Sequence, residues 1–334
     1  MPELRLNLVT REWCIIAPER SKRPETFKRV KLKKELRPFV ETCPFCPGNE
    51  AKTPPEVFSI REGDSWKIRV IPNKFPALAY QGERERINDG LKRLVTGVGI
   101  HEVIIETPLH HMGMALLPLP SVADVIRTYK ARFLQGYKDS QVDHIIIFRN
   151  HGEDAGTTLE HPHSQLIGLP VTPIQLRDRL ESAAHFYDYV GRCLLCMSIE
   201  MEKKEESRLI LETDQFISFI PYAASTPFHT WIVPKRHAAS FGDITEEEVK
   251  DLALNLKTTL AKIHYGLDDP DFNYSIRSNG PKNGDSEYFH WYLSITPRVS
   301  KAAGFELGSG MFINPSLPED SARFLREVKC PPES

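Results

Sequence analysis

Two kinds of apolar pattern alternate along the chain: short β-branched runs and longer stretches with helical spacing. Residues 66–71 set Trp66, Ile68 and Val70 against Lys67 and Arg69, the period of two that marks a strand, and Pro72 closes it. The segments 101–106 (HEVIIE) and 144–149 (HIIIFR) read as buried strands. Between them Ser121 opens a predicted helix to about residue 137, with Val125, Ile126, Tyr129 and Phe133 on one face. Residues 165–169 form a further apolar run closed by Pro170. Thr172 before Pro173 predicts an N-cap with proline in the first helical position, opening a linking helix to about residue 189. Strands are then expected at 209–211, 216–220 and 230–233, a helix from 245 to about 265, and strands at 274–278 and 291–296. The first 60 residues are rich in proline and charge, with short extended pieces such as 12–17.

This order repeats. Cys43-Pro-Phe-Cys46 is followed by His110 after a strand and His161 just before a strand. Cys193-Leu-Leu-Cys196 is followed by His237 and His290 in the same relation. The histidines are 51 residues apart in the first set and 53 in the second, and each gap holds a helix and then a strand. The pattern predicts one α+β unit duplicated, mainly antiparallel sheets with flanking helices. Two tandem halves, 1–170 and 193–334, are joined by a helical linker at 171–192. The Cys-to-His gaps, 64 and 41 residues, require an insertion in the first copy.

Composition narrows the function classes. Hydrophobic content of 40% and charged content of 26% are those of a soluble globular protein. A net charge of −2 without a long Lys/Arg block argues against a nucleic-acid or membrane-surface binder. The densest basic stretch, 28–34, reads as a solvated face. No run approaches the roughly 18 apolar residues of a membrane span. Residues 1–10 carry no signal-like apolar region, so a cytoplasmic location is expected. Four of the six cysteines lie in C-x-x-C pairs, leaving Cys14 and Cys330, which suggests metal binding more than disulfides.

A C-x-x-C turn offers two thiolates to one tetrahedral ion, and two distant histidines close the site. Softness and geometry favour zinc, two ions per chain. His111 stands beside His110, and His229 precedes His237; the spacing leaves both choices open.

His161-Pro-His163-Ser-Gln165 carries the chemistry. On a strand, residues 161, 163 and 165 face one way, aligning a ligand, a free imidazole and an amide. The imidazole of His163 can act as base or nucleophile, and the amide of Gln165 can hold a phosphoryl oxygen. Glutamine delivers no proton, so the leaving group should need none, as with a sugar 1-phosphate. Upstream, Asn150-His-Gly-Glu-Asp-Ala-Gly156-Thr-Thr158 has the composition of an anion-binding loop. Arg20 and Arg23 offer planar phosphate contacts.

With these motifs the chain resembles the galactose-1-phosphate uridylyltransferases, the transferase branch of the histidine-triad superfamily. The likeness runs through 18–24, 43–46, 69–73, 106–110, 150–165, 231–237 and 290–297. It implies that His163 is the nucleophile, that Gln165 assists it, and that Cys43, Cys46, His110 and His161 bind zinc. The second set, Cys193, Cys196, His237 and His290, looks like a branch that includes the plant ADP-glucose phosphorylase type. The resemblance puts Arg69 and Asn73 near the base and ribose, and Asn150, Gly156 and Thr158 at the phosphates. Phe305 and Glu306 would hold the hexose of a neighbouring subunit in a homodimer. Aligning His290 with His161 sets Tyr292 at the place of His163 and Ser294 at that of Gln165, so one active site per chain is expected.

The resulting expectation is ping-pong transfer of UMP between a UDP-hexose and a hexose 1-phosphate through nucleotidyl-His163. The alternative is ADP-glucose phosphorolysis, adenylyl transfer to phosphate. Nucleotide sugar and sugar 1-phosphate are the expected partners, with no nucleic acid and no membrane. A zinc-module nucleic-acid binder is the rival of different class, disfavoured by the absence of a basic stripe. A nucleotide hydrolase is the nearer rival, and Gln165, where hydrolases of the superfamily carry a third histidine, counts against it.

Overall fold

Ten strands share one antiparallel sheet in the computed structural model, which describes residues 1–20, 27, 37–283 and 286–331. The chain begins with β1 (Glu3–Asn7) and β2 (Glu12–Ile16). The first half then supplies β3 (Phe58–Glu62), β4 (Ser65–Pro72), the small hairpin β5 (Arg86–Asp89) and β6 (Lys92–Val95), and β7 (Ile100–Ile105). Helix α1 (Leu119–Gly136), β8 (His144–His151) and β9 (His163–Leu169) complete it. Helices α2 (Ile174–Val190) and α3 (Leu194–Glu205) lead into β10 (Leu209–Glu212), β11 (Phe216–Phe219) and β12 (Thr230–Pro234). Helix α4 (Glu246–Leu267), β13 (Phe272–Arg277) and β14 (Tyr292–Pro297) follow. The chain closes with α5 (Gly304–Ser309), β15 (Phe312–Asn314) and α6 (Pro318–Glu327).

The order across the sheet is β3-β4-β7-β9-β8-β13-β14-β12-β11-β10. Read outward from the β8–β13 seam, both sides give the same connectivity, which is the duplicated α+β fold expected from the histidine spacing. At the seam Asn150 pairs with Asn273. The insertion in the first copy falls between β4 and β7, which are separated by 27 residues including the β5–β6 hairpin; β11 and β12 are separated by 10.

One face of the sheet is covered by α1 and α4. Val122, Val125, Ile126, Tyr129 and Phe133 of α1 join Leu252, Leu256, Leu260 and Ile263 of α4 over Ile104, Ile147, Leu166, Ile276 and Leu293. Helix α4 starts where the sequence places it, because Thr245 Oγ1 accepts from the Glu248 N–H while Glu248 Oε2 accepts from the Thr245 N–H. That reciprocal cap is worth about 1 kcal/mol. Helix α2 departs by one residue from expectation: Pro173 is the cap itself and Thr172 makes no capping bond. The Leu176 and Arg177 N–H groups both donate to the Pro173 carbonyl, which closes the first turn. Among the described residues no helix is long and apolar enough to cross a membrane.

Strands β1 and β2 do not join the large sheet. They form a separate sheet with β15, which runs parallel to β2. Arg5 donates to the Tyr222 carbonyl and to Glu319, and Cys14 Sγ to the Ala224 carbonyl, so residues 3–16 lie on the second half.

Between the sheet and α1 sits a buried polar cluster. Glu106 is ion-paired with Arg149 and accepts from Ser164 and, at 3.1 Å, from Tyr129 OH, which itself accepts from Tyr274 OH at 2.6 Å. All five side chains are buried. Removing one member of such a pair strands the other charge in a dry interior. Glu106→Ala should therefore destabilise the protein by about 3–5 kcal/mol, read as a lowered denaturant midpoint.

Candidate active site

The opposite face of the sheet carries both Cys₂His₂ sets and, beside the first, a sizeable cavity. In the first set Cys43 and Cys46 lie in a turn, His110 follows β7 and His161 precedes β9. Cys43 Sγ lies 3.7 Å from His161 Nδ1, and Cys46 Sγ lies 3.5 Å and 3.6 Å from His110 and His161 Nδ1. In the second set Cys196 Sγ is 3.4 Å from Nδ1 of both His237 and His290. A tetrahedral zinc with its usual Zn–S and Zn–N lengths requires sulfur-to-nitrogen edges of about 3.6 Å. Within each set the four ligand atoms lie within 4.8 Å of one another.

The histidines are also set for metal. His161 Nε2–H donates to the Thr107 carbonyl (2.8 Å) and His290 Nε2–H to that of Pro234 (3.0 Å), so their bare Nδ1 atoms face the thiols. Of the alternatives left open by spacing, His110 and His237 lie in the sets. His229 instead meets Ser225, Ser294 and Trp231.

His163 opens β9, so His161 stands just before the strand rather than on it. The Nδ1–H of His163 donates to the His161 carbonyl at 2.8 Å, which leaves Nε2 bare. Burial pushes its pKa down; the bond to the His161 carbonyl pulls it up and Arg149 behind it pushes it down again, so the net shift is downward and favours the neutral ring. The Phe45 ring meets its edge at a centroid distance of 5.4 Å.

His163 lines a cavity of about 410 Å³, within the range of small-ligand sites. Gln165, Asn73, Thr158, Lys52, Thr53 and Phe75 are among its walls. Gln165 Oε1 meets His101 Nε2 at 2.8 Å. Sequence reasoning missed His101, Phe45, Lys52, Thr53 and Phe75. For His101 a signal existed: in HEVII it shares a strand face with positions 103 and 105.

Other expected residues lie elsewhere. Arg69 is buried behind the cavity, donating to Glu56 Oε2 (3.1 Å) and to Thr53 Oγ1 (3.2 Å), so it buttresses a wall without lining it. Asn150 lies next to the seam, and Gly156 ends the short turn Glu153–Ala155 at φ +88°. Arg20 and Glu306 neighbour each other, the Glu306 carboxyl held below its usual range by the Ala303 N–H and, less, by Arg20. They and the exposed Phe305 do not line the cavity. Arg23 and the basic stretch 28–34 lie outside the described residues.

Residues 1–173 match the family pattern described as galactose-1-phosphate uridyl transferase, N-terminal domain, and residues 177–306 match its C-terminal domain. The chain belongs to the galactose-1-phosphate uridyl transferase family. It is a nucleotidyltransferase, as the members it resembles are. An Arabidopsis thaliana protein named ADP-glucose phosphorylase is 38% identical over 332 residues, covering 98% of this chain and 93% of that one. A Thermotoga maritima galactose-1-phosphate uridylyltransferase is 28% identical, covering 98% of this chain and 99% of its own. The crystal structure of the Arabidopsis phosphorylase with bound ADP-glucose superposes with a TM-score of 0.84 at 36% identity, covering 98% and 99% of the two chains.

Among the described residues, the place in the second half that corresponds to the His163 cavity is filled. In register terms Tyr292 stands where His163 does, Ser294 where Gln165 does and Trp231 where Val103 does. Trp231 and Tyr292 pack at a centroid distance of 4.7 Å, and Arg179 of α2 donates to Tyr292 OH. The cavity left there is about 10 Å³.

The phosphate-loop candidate is pinned to the second half. Asp271 Oδ2 accepts from the Asp154 N–H at 2.7 Å, and Gly152, at φ +84°, passes so close that an added Cβ would run into the Asp271 carboxylate. Gly152→Ala should cost roughly 1–3 kcal/mol of stability and displace the loop, read as a lower melting temperature together with slower nucleotidyl transfer.

Proposed function

We propose that the chain carries a nucleoside monophosphate on His163 Nε2 and passes it between two phosphate-bearing partners. The observation that carries this reading is His163 in the cavity wall with its Nδ1–H held by the His161 carbonyl, which leaves Nε2 as the nucleophile. Nε2 attacks the α-phosphorus of a sugar nucleotide, a P–N bond forms, and the bond to the sugar 1-phosphate oxygen breaks. The sugar 1-phosphate leaves as the anion, so no acid is needed. The phosphorylated ring keeps its Nδ1 proton and gains positive charge, which the His161 carbonyl stabilises. A phosphate oxygen of the second partner then attacks, the P–N bond breaks, and neutral His163 is regenerated. Gln165 and Asn150 donate to the non-bridging oxygens as charge builds there.

For base and acceptor there are two versions. The family name supports UMP transfer between a UDP-hexose and a hexose 1-phosphate. The higher identity to the Arabidopsis ADP-glucose phosphorylase supports AMP transfer from ADP-glucose to phosphate. Incubation with α-phosphate-labelled UDP-glucose or ADP-glucose should leave acid-labile label on the denatured protein in one nucleotide series. His163→Ala should abolish it; label that survives this substitution would disprove the covalent mechanism.

Each Cys₂His₂ set holds a structural zinc in this reading, outside the reacting atoms. The first zinc would fix His161 and, through its carbonyl, His163. Elemental analysis should give two zinc ions per chain, and one for Cys193→Ser. The second site should lose its ion first to a chelator, because Cys196 and His237 are only half-buried. The division into halves 1–170 and 193–334 belongs to the same proposal. So does a homodimer in which the exposed Phe305 and Glu306 reach a partner's cavity.

A further inference from the structure

One row of side chains crosses the sheet on the face that bears His163. Register puts His101 of β7, His163 and Gln165 of β9, Asn150 of β8 and Asn273 of β13 on that face. Two of them, Gln165 and Asn150, are amides, and an amide turns either an N–H donor or a repelling oxygen toward an anion. At each, a neighbour decides which.

The Ala77 N–H can only donate, and it points at His101 Nδ1 from 3.0 Å. An imidazole that accepts at Nδ1 carries its proton on Nε2. That N–H has two neighbours, Gln165 at 2.8 Å and the Asn73 amide nitrogen at 3.1 Å; the latter can only donate, so the proton goes to Gln165, the atom facing it is Oε1 and the NH₂ is left for the cavity. Asn273 is fixed in the same manner. The Ala155 carbonyl can only accept and Arg298 Nε can only donate, so Nδ2 of Asn273 faces the former at 2.8 Å and Oδ1 the latter. The same Nδ2 donates to Asn150 at 2.8 Å, which makes the facing atom Oδ1. The NH₂ of Asn150 is thereby turned toward Gly156, where an added Cβ would lie 3.9 Å from it.

We propose that His101 and Asn273 are positioning residues that lock Gln165 and Asn150 with their donor sides toward the transferred phosphoryl group, a role that rests on the function proposed above. The site then presents donors alone to oxygens on which negative charge develops. Asn273 comes from β13, so the half without a reacting histidine completes the site of the other. The second half keeps only part of the device: His229 meets Ser294 at 2.9 Å, but a hydroxyl rotates freely, and Arg277 stands where Asn150 does.

Two double-mutant cycles test this in the full-length protein: His101→Leu with Gln165→Ala, and Asn273→Leu with Asn150→Ala. Transfer from α-phosphate-labelled UDP-glucose and ADP-glucose is followed in the half reaction. His101→Leu or Asn273→Leu alone should slow transfer about 10- to 100-fold, with a larger effect on kcat than on KM. Each double variant should match its Gln165→Ala or Asn150→Ala parent within about 2-fold. Losses that multiply in the double variants would overturn the positioning role. Nitrogen NMR of the unsubstituted protein, labelled at histidine, reads the His101 tautomer without relying on any variant to fold: a proton on Nε2 supports the proposal and one on Nδ1 overturns it. If the unsubstituted protein accepts label from neither sugar nucleotide, the functional reading fails, and the tautomer still decides His101.

Discussion

His161 meets two demands through different atoms, and the site depends on both being met at once. Its ring nitrogen Nδ1 faces the Cys43 and Cys46 thiols, while Nε2–H is tied to the Thr107 carbonyl. Its backbone carbonyl takes the Nδ1 proton of His163. Two residues of chain therefore link a ligand cluster to the protonation pattern of a neighbouring ring. Any shift of the cluster would be felt first as a lost hydrogen bond at His163. The Glu106–Arg149 pair supports the strand from behind.

The duplication explains why the cavity beside His163 lies on one half of so large a sheet. Both halves keep the five-strand order, the helix and the Cys₂His₂ set, but the second fills its cavity with Trp231, Tyr292 and Arg179. Apolar packing there replaces a reactive surface, and strand β13, freed from chemistry, supplies Asp271 and Asn273 to the loop across the seam.

Much of this was legible in the sequence. The matched histidine gaps expose the repeat because each metal site must draw ligands from the same two points of the same fold. The strands around His101 and His144 stand out as β-branched runs, the first buried on both faces and the second on the face toward the helices. Less visible were elements whose signal lies in tertiary context. Helix α3 begins at Cys193 and hides within what reads as a metal-binding turn. Strand β15 is short and finds its partner, β2, far away along the chain. Arg69 illustrates the limit at the site: its position along the motif is right for the cavity, yet Glu56 and Thr53 draw its guanidinium behind the wall. Burial of a charge is decided by partners that no local pattern announces.

The small sheet made by the two ends of the chain carries a consequence for synthesis. Strand β2 is made long before its parallel neighbour, Phe312–Asn314. On the ribosome β2 must wait, unpaired on one edge, until both halves of the large sheet have emerged. Contacts of such long sequence separation form late and slow the final step of folding. The nascent first half can assemble its own strands early, but the molecule closes only when its last strand arrives.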